Sequence, residues 1–264
     1  MNRPRVLITR TRRQASLLSE QLQQIGVETI LIPTIEVVAP GSFDSLDAAI
    51  ASLAHQPCGF DWLILTSANA VQALAERALQ RGAPLHPIRV AAIGPATARA
   101  CIEAKIAPQS GDLLLPPRYV AESLAEALLQ QAAGSSQQYL LVRAEEARDV
   151  IPAMLEAAGH RVAIAAAYRN VTPPDTLSAL RRTFGAMSEW PSVITFTSSS
   201  TARNLVELLE SIGQAIPREI ALASIGPITS ATLRELGYEP TFEAAEPTIE
   251  ALTAAIAKHL GLTR

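Results

Sequence analysis

Apolar positions along this chain gather in short, nearly continuous runs rather than in long stretches. VLIT (6–9), WLIL (62–65), VAAI (90–93), YLLV (139–142), VITF (193–196) and ALASI (221–225) are runs of this kind. Such runs suit strands covered on both faces, as in a parallel sheet. Helix-like segments lie between them, and LLSEQLQQIG (17–26) and IPAMLEAAG (151–159) close on glycine, the usual helix end. Alternating strand and helix predicts an α/β fold with a doubly wound parallel sheet, flavodoxin-like in size.

The pattern is written twice. Ile93-Gly94-Pro95 and Thr97 return as Ile225-Gly226-Pro227 and Thr229; Val6-Leu7-Ile8-Thr9-Arg10 aligns with Tyr139-Leu140-Leu141-Val142-Arg143; Trp62-Leu63-Ile64-Leu65-Thr66-Ser67 aligns with Val193-Ile194-Thr195-Phe196-Thr197-Ser198. The offset stays between 131 and 133 residues, so the chain reads as a duplication of one α/β unit. Residues 32–38 and 165–171 are equivalent, extended and followed by proline (Pro40; Pro173-Pro174), which bars helix and favours a linker. Two equivalent linkers imply that the chain crosses between domains twice. Residues 1–34 and 174–264 then form a discontinuous first domain, 39–166 an inserted second, and 35–38 and 167–173 the linkers. A single cut near residue 133 is the alternative.

Composition narrows the class. Of 264 residues, 48% are hydrophobic and 18% charged, enough to fill two cores and too apolar for disorder. The net charge of −3 gives no general attraction to nucleic acid or acidic lipid, so an anionic ligand has to be held by local donors. Cys58 and Cys101 are far apart, which argues against a disulfide framework or a thiolate metal site. His55, His86, His160 and His259 are scattered without metal-ligand spacing or a catalytic triad. No apolar run approaches the ~20 residues of a membrane span, and the N-terminus does not read as a signal peptide. A soluble cytoplasmic protein needing no metal is expected.

Candidate chemistry sits at four strand-to-helix corners: Thr66-Ser67, IGPAT with Thr97, Thr197-Ser198-Ser199-Ser200, and IGPIT with Thr229. All fall at carboxyl ends of strands, where open α/β sheets bind ligands, and helix starts seat phosphate or carboxylate groups. The plainer reading is that these hydroxyls only cap helices. Thr11 and Gln14 fit a capping box. Arg10, Arg12 and Arg13 crowd the same helix start, where basic residues oppose the dipole; the duplicate keeps Arg143 but follows it with Glu145-Glu146. The first copy is therefore expected to face an anion more than the second, a solvated arginine cluster being the alternative. Tyr168, on the second linker, reads either as a hydrogen-bond donor at the mouth of a cleft or as a ring packing the domain junction.

The ordered set VLITR, IPTIEV, LTSANAV, AIGPATA, LVRAEEARDVIPAMLEAAGHRV with AYRNV, FTSSST, and IGPIT followed by EPTIEAL resembles the uroporphyrinogen-III synthase family along essentially the whole chain. The resemblance implies two α/β domains, the second inserted in the first, joined by a two-stranded antiparallel connector. It implies cyclisation of the linear tetrapyrrole hydroxymethylbilane to uroporphyrinogen III, with loss of water and inversion of the last pyrrole ring, in haem, sirohaem and cobalamin biosynthesis. It implies no cofactor and no metal. The family's linker tyrosine, proposed to assist departure of the hydroxyl group, falls on Tyr168; its second-copy threonine falls on Thr229, and its corner serine on Ser198. Substrate carboxylates are expected at Thr9, Arg10, Arg12, Ser67, Thr97, Arg143, Thr197, Ser198, Ser199 and Thr229. The partner is this small molecule alone, with no nucleic acid or membrane, and the chain is expected to be a monomer whose linkers let the domains close. A non-catalytic two-domain cleft protein that binds an anionic small molecule is the rival from another class.

Overall fold

In the computed structural model, residues 3–55, 57–86, 88–107, 113–132 and 134–262 are described, Arg13 by its backbone alone. The chain divides into two units, Met1–Glu36 with Val171–Arg264, and Val37–Asn170. In chain order the first unit opens with β1 (Arg5–Ile8), α1 (Arg12–Gln24) and β2 (Glu28–Leu31). Next come β3 (Glu36–Val38), α2 (Asp44–Leu53), β4 (Trp62–Leu65), α3 (Ala68–Gln80), β5 (Arg89–Ala92), α4 (Pro95–Glu103), β6 (Leu113–Leu114), α5 (Ala121–Gln131), β7 (Gln138–Ala144), α6 (Val150–Ala157) and β8 (Arg161–Val171). The first unit is completed by α7 (Thr176–Gly185), a short 3-10 turn at Met187–Glu189, β9 (Val193–Phe196), α8 (Ser199–Ser211), β10 (Ala221–Ser224), α9 (Pro227–Glu235), β11 (Phe242–Glu243) and α10 (Ile249–His259).

The first unit holds a sheet of order β11-β10-β9-β1-β2, its neighbours parallel. Numbered along its own strands this is 2-1-3-4-5, the flavodoxin order. The second unit's sheet runs β3-β8-β7-β4-β5-β6, and its core strands are parallel. Numbered from β4 to β8 it reads 3-2-1-4-5, a different chain order for the same spatial array. The reason is where the chain enters: β7 and β8 occupy the places of β1 and β2 but come last in this unit. Residues 35–38 and 167–173, read from sequence as linkers, largely form β3 and the end of β8, adjacent strands of the six-stranded sheet.

Alternation places one set of strand residues on each face of each sheet. In the first unit Leu7, Ile194, Phe196 and Leu222 meet Leu180, Phe184, Leu205 and Leu233 of α7, α8 and α9. Val6, Ile8, Val193 and Ala223 meet Leu18, Leu22, Leu252 and Ile256 of α1 and α10. The second unit repeats this with Leu63, Leu65, Leu140 and Val142 against α2, α3 and α4, and with Trp62, Ile64, Tyr139 and Leu141 against α5 and α6. Covering both faces is what made the strand sequences nearly continuous in apolar residues. Arg77 of α3 grips both carboxylate oxygens of Asp47 on α2 at 2.7 Å, which holds that carboxyl below its ordinary range.

The two glycine-ended helices close in the same way. Gly26 and Gly159 have φ of +86° and +84°, a conformation that costs glycine little. Val27 N–H reaches Leu22 C=O and Gly26 N–H reaches Gln23 C=O, while His160 and Gly159 pair likewise with Leu155 and Glu156. These paired hydrogen bonds satisfy the last carbonyls of each helix.

Candidate active site

In an open α/β sheet the strand order reverses at one place, and ligands bind beyond the carboxyl ends of the strands there. In the first unit the reversal lies between β1 and β9, whose ends lead into Thr9-Arg10 and Thr197-Ser198. In the second it lies between β4 and β7, whose ends carry Thr66-Ser67 and Arg143. IGPIT and IGPAT follow the adjacent strands β10 and β5. Topology thus gathers the expected residues of each unit at one edge of its sheet.

The corners are of two types. Ser67 caps α3, its Oγ accepting Ala70 N–H at 3.1 Å. Ser198 caps α8 through Thr201 N–H, and the Thr201 hydroxyl accepts Ser198 N–H in return. These serines occupy their own helix starts. At α4 and α9 the cap residues are Gly94 and Gly226, followed by Pro95 and Pro227, and no side chain caps either helix. The first-turn amides of Ala96 and Thr97, and of Ile228 and Thr229, therefore lack the side-chain acceptor that serine supplies elsewhere. Thr97 and Thr229 are 4% exposed. Glycine is not forced here by strain, since φ is −170° at Gly94 and 170° at Gly226, extended values open to any residue. What glycine removes is the cap, which leaves amides available to an anion.

The arginines separate. Arg10 is half-buried and makes no hydrogen bond or ion pair among the described residues, and burial lowers its pKa. An unpaired, partly desolvated guanidinium at a strand end is costly unless an anion meets it. Arg12 is exposed, and the side chain of Arg13 lies outside the described residues. Arg143 is 8% exposed and already engaged: Nη2 meets Asp149 Oδ1 at 2.6 Å and Nη1 donates to Arg148 C=O at 3.0 Å. The carboxylates after the second copy's arginine include one that folds back to neutralise it, so Arg143 closes the loop between β7 and α6.

Two other expectations change. Thr9 is fully buried and its hydroxyl donates to Thr195 C=O, while Thr34 donates to Thr9 C=O; the strand end is knitted to its neighbours and the threonine faces the core. The capping box read at Thr11 and Gln14 does not form, since α1 has no side-chain cap bond. The box instead forms at Ser198, with threonine in place of the usual Glu or Gln. Ser199 Oγ lies 2.7 Å from Thr232 Oγ1 of α9 and helps fasten α8 to it, whereas Thr197 is half-buried at the end of β9.

Tyr168 lies in β8, 7% exposed, with its ring in the core. Its C=O accepts Glu145 N–H at 2.7 Å, and its Oη is 3.0 Å from Ser67 Oγ. Sequence reading named both residues without linking them. It passed over Tyr119, 61% exposed, which lies at van der Waals distance (3.5 Å) from the point where a Cβ on Gly94 would stand. Pro247 stands over Gly226 of the first unit in the same way, at 3.6 Å. No group of three potential metal ligands occurs among the described residues, and no helix described is long and apolar enough to cross a membrane.

Comparison with known proteins decides the family. The family model described as uroporphyrinogen-III synthase HemD matches residues 16–254. The chain belongs to that family. It is 38% identical to the uroporphyrinogen-III synthase of Synechococcus elongatus over 95% of this chain and 93% of the relative. It is 28% identical to a putative uroporphyrinogen-III synthase of Methanothermobacter thermautotrophicus over 96% and 98%. A mutant uroporphyrinogen III synthase of Thermus thermophilus superposes with a TM-score of 0.69, covering 98% of this chain and 100% of that one at 18% identity. The Helicobacter pylori enzyme gives 0.53 over 98% and 100% at 21% identity. These structures support the fold, and as a synthase of this family the chain is a cyclising lyase of porphyrin biosynthesis.

Proposed function

We propose that this synthase closes hydroxymethylbilane to uroporphyrinogen III, with loss of water and inversion of the last pyrrole ring, each unit offering carboxylate seats at the carboxyl edge of its own sheet. The observation that carries the reaction is the family match along nearly the whole chain; the open corners supply a means. The substrate is a polycarboxylate, and each unit offers a glycine-capped helix start with uncapped first-turn amides. The amides at Thr97 and Thr229 seat carboxylates, and Arg10 supplies the positive charge the substrate lacks. Arg12, Thr197, Ser198 and Ser199 border the same edge of the first unit.

Departure of the hydroxyl group from a pyrrole-activated carbon is intrinsically easy, because the pyrrole nitrogen stabilises the cation left behind. Tyr168, with Oη beside Ser67, acts as a hydrogen-bond donor to the leaving oxygen; no strong acid is required. The harder task is to bring the substituted carbon of the last ring to that cation ahead of the free one. Positioning by fixed seats can supply several kcal/mol of such preference, so binding residues outweigh any single acid. The working unit is one chain, because every seat named is built within a single unit; light scattering is expected to give 28.1 kDa.

The test is to give purified protein freshly prepared hydroxymethylbilane and separate the isomers. Isomer III is expected. Isomer I alone, the product of unassisted head-to-tail closure, overturns the proposal and leaves an anion-binding protein without this activity.

A further inference from the structure

The contact between Ser67 and Tyr168 joins residues 101 positions apart within the second unit. A serine hydroxyl has one proton and two lone pairs. At Ser67 one lone pair is occupied by Ala70 N–H at 3.1 Å. Tyr168 Oη stands 3.0 Å from the same oxygen, and on distance alone either hydroxyl can donate. Proton counting fixes the direction once the phenol serves a third group. An oxygen that accepts an N–H becomes a better donor through its own O–H and a poorer acceptor at its remaining lone pair. When the phenol gives its one proton to a third group, the 3.0 Å contact persists only with Ser67 as its donor, and the N–H that Ser67 Oγ accepts strengthens that donation.

The phenol ring is held by its surroundings. It is packed among the buried residues of the face bearing Leu65 and Val142, and its backbone is held by Glu145 N–H. Only rotation about the C–O bond remains, and Ser67 sets that. The first unit provides a comparison. Ser198 makes the equivalent cap, but its second contact is Ser200 Oγ at 2.9 Å in its own turn, and the residue aligned with Tyr168 is Ile35. Capping alone does not require a bond to a residue of another strand.

We infer that Ser67 is a positioning residue for the reaction: it caps α3 and, by donating to Tyr168 Oη, directs the phenol proton outward to the substrate's departing hydroxyl. This rests on the donor role given to Tyr168 above.

The experiment compares Ser67→Ala, Ser67→Gly, Ser67→Thr, Tyr168→Phe and Ser67→Ala/Tyr168→Phe in the full chain, reading kcat, KM and thermal midpoint. It adds the Raman Fermi doublet of the tyrosine rings, whose intensity ratio reports whether a phenol accepts or donates. Glycine is included because it keeps a helix start nearly as stable as serine does. Expected are a fall in kcat of about tenfold for Ser67→Ala and Ser67→Gly with KM little changed, and recovery with threonine. Ser67→Ala is expected to add no loss in the Tyr168→Phe background, and to move the doublet toward a donor-only phenol. Equal losses in both backgrounds, a rise in KM in place of the fall in kcat, or an unmoved doublet overturns the inference. A wild-type kcat in Tyr168→Phe also overturns it while leaving the chain's synthase activity standing, whereas production of isomer I alone by the wild-type chain defeats the activity itself.

Discussion

Arg10 and Arg143 occupy equivalent positions and do different work, which single substitutions will separate. Arg10→Gln removes a half-buried charge with no described partner. We expect KM to rise about tenfold, on the scale of one charge-assisted hydrogen bond, with an unchanged or higher thermal midpoint. Arg143→Ala opens the loop held by Asp149 and the Arg148 carbonyl; a stability loss of about 1–2 kcal/mol with little change in KM is expected, modest because Asp149 is mostly exposed. Titration of kinetics and urea midpoints on the two variants checks both. Cys101 is a second case at this scale. Burial pushes its thiol up to about 12, so the native protein at neutral pH is expected to consume iodoacetamide at Cys58 and to spare Cys101 until unfolded. The folded pKa lies above the unfolded one, so this contribution to stability is intact below the ordinary thiol range and lost as pH climbs toward about 12. Burial raises the Tyr139 phenol too, although Arg89 pulls the other way, so both groups push alkaline unfolding in the same direction. Urea midpoints followed upward from mild alkalinity check the slope, and Cys101→Ala is expected to flatten it. The acids after Arg143 already marked the asymmetry in sequence, but not the partner, which is Asp149 and neither Glu145 nor Glu146.

At the element scale, the four corners divide into capped and uncapped helix starts, and the division is testable by moving a residue type from one class to the other. Gly94 and Ser67 share an extended backbone, with φ of −170° and −160°. A Cβ at Gly94 or Gly226 meets Tyr119 or Pro247 at 3.5 and 3.6 Å, ordinary contact. Gly94→Ser and Gly226→Ser are therefore expected to cap α4 and α9, raising stability by a few tenths of a kcal/mol while KM rises several-fold as the hydroxyl takes amides meant for carboxylate. A higher thermal midpoint with an unchanged KM would show that the corners bind nothing. The corner positions were legible because glycine, proline and hydroxyl residues at strand ends have local meanings. Which hydroxyl caps which amide was not: Thr11 looked like a cap and makes none, while Ser198 found its reciprocal partner in Thr201, outside the usual Glu or Gln pattern.

For the whole molecule, the two units differ in how the chain supplies them. Val37–Asn170 is continuous, whereas the first unit needs Met1–Glu36 and Val171–Arg264 together. Its strand β1 sits between β9 and β2, so the C-terminal segment alone lacks two adjacent strands of its sheet and leaves one side of β9 unpaired. A fragment of residues 37–170 is expected to fold cooperatively by itself. Residues 171–264 are expected to stay unfolded until a peptide of residues 1–36 is added. Circular dichroism melts of the three pieces check this; a folded 171–264 fragment would show that β1 is dispensable.

The sequence by itself determined the parallel α/β layers, the repetition of the unit, the glycine helix ends and the strand-end corners, because each depends on periodicity or on residue types acting within a few positions. The resemblance to a family followed from the same local motifs kept in order. Tertiary structure alone decided that Thr9 turns into the core, that Arg143 is spent on its own loop while Arg10 is not, and that Ser67 meets Tyr168. Each of these depends on which groups the folded chain brings together, from other strands for Thr9 and Ser67 and through a returning loop for Arg143, and such partners leave no trace in the spacing of residues along one strand.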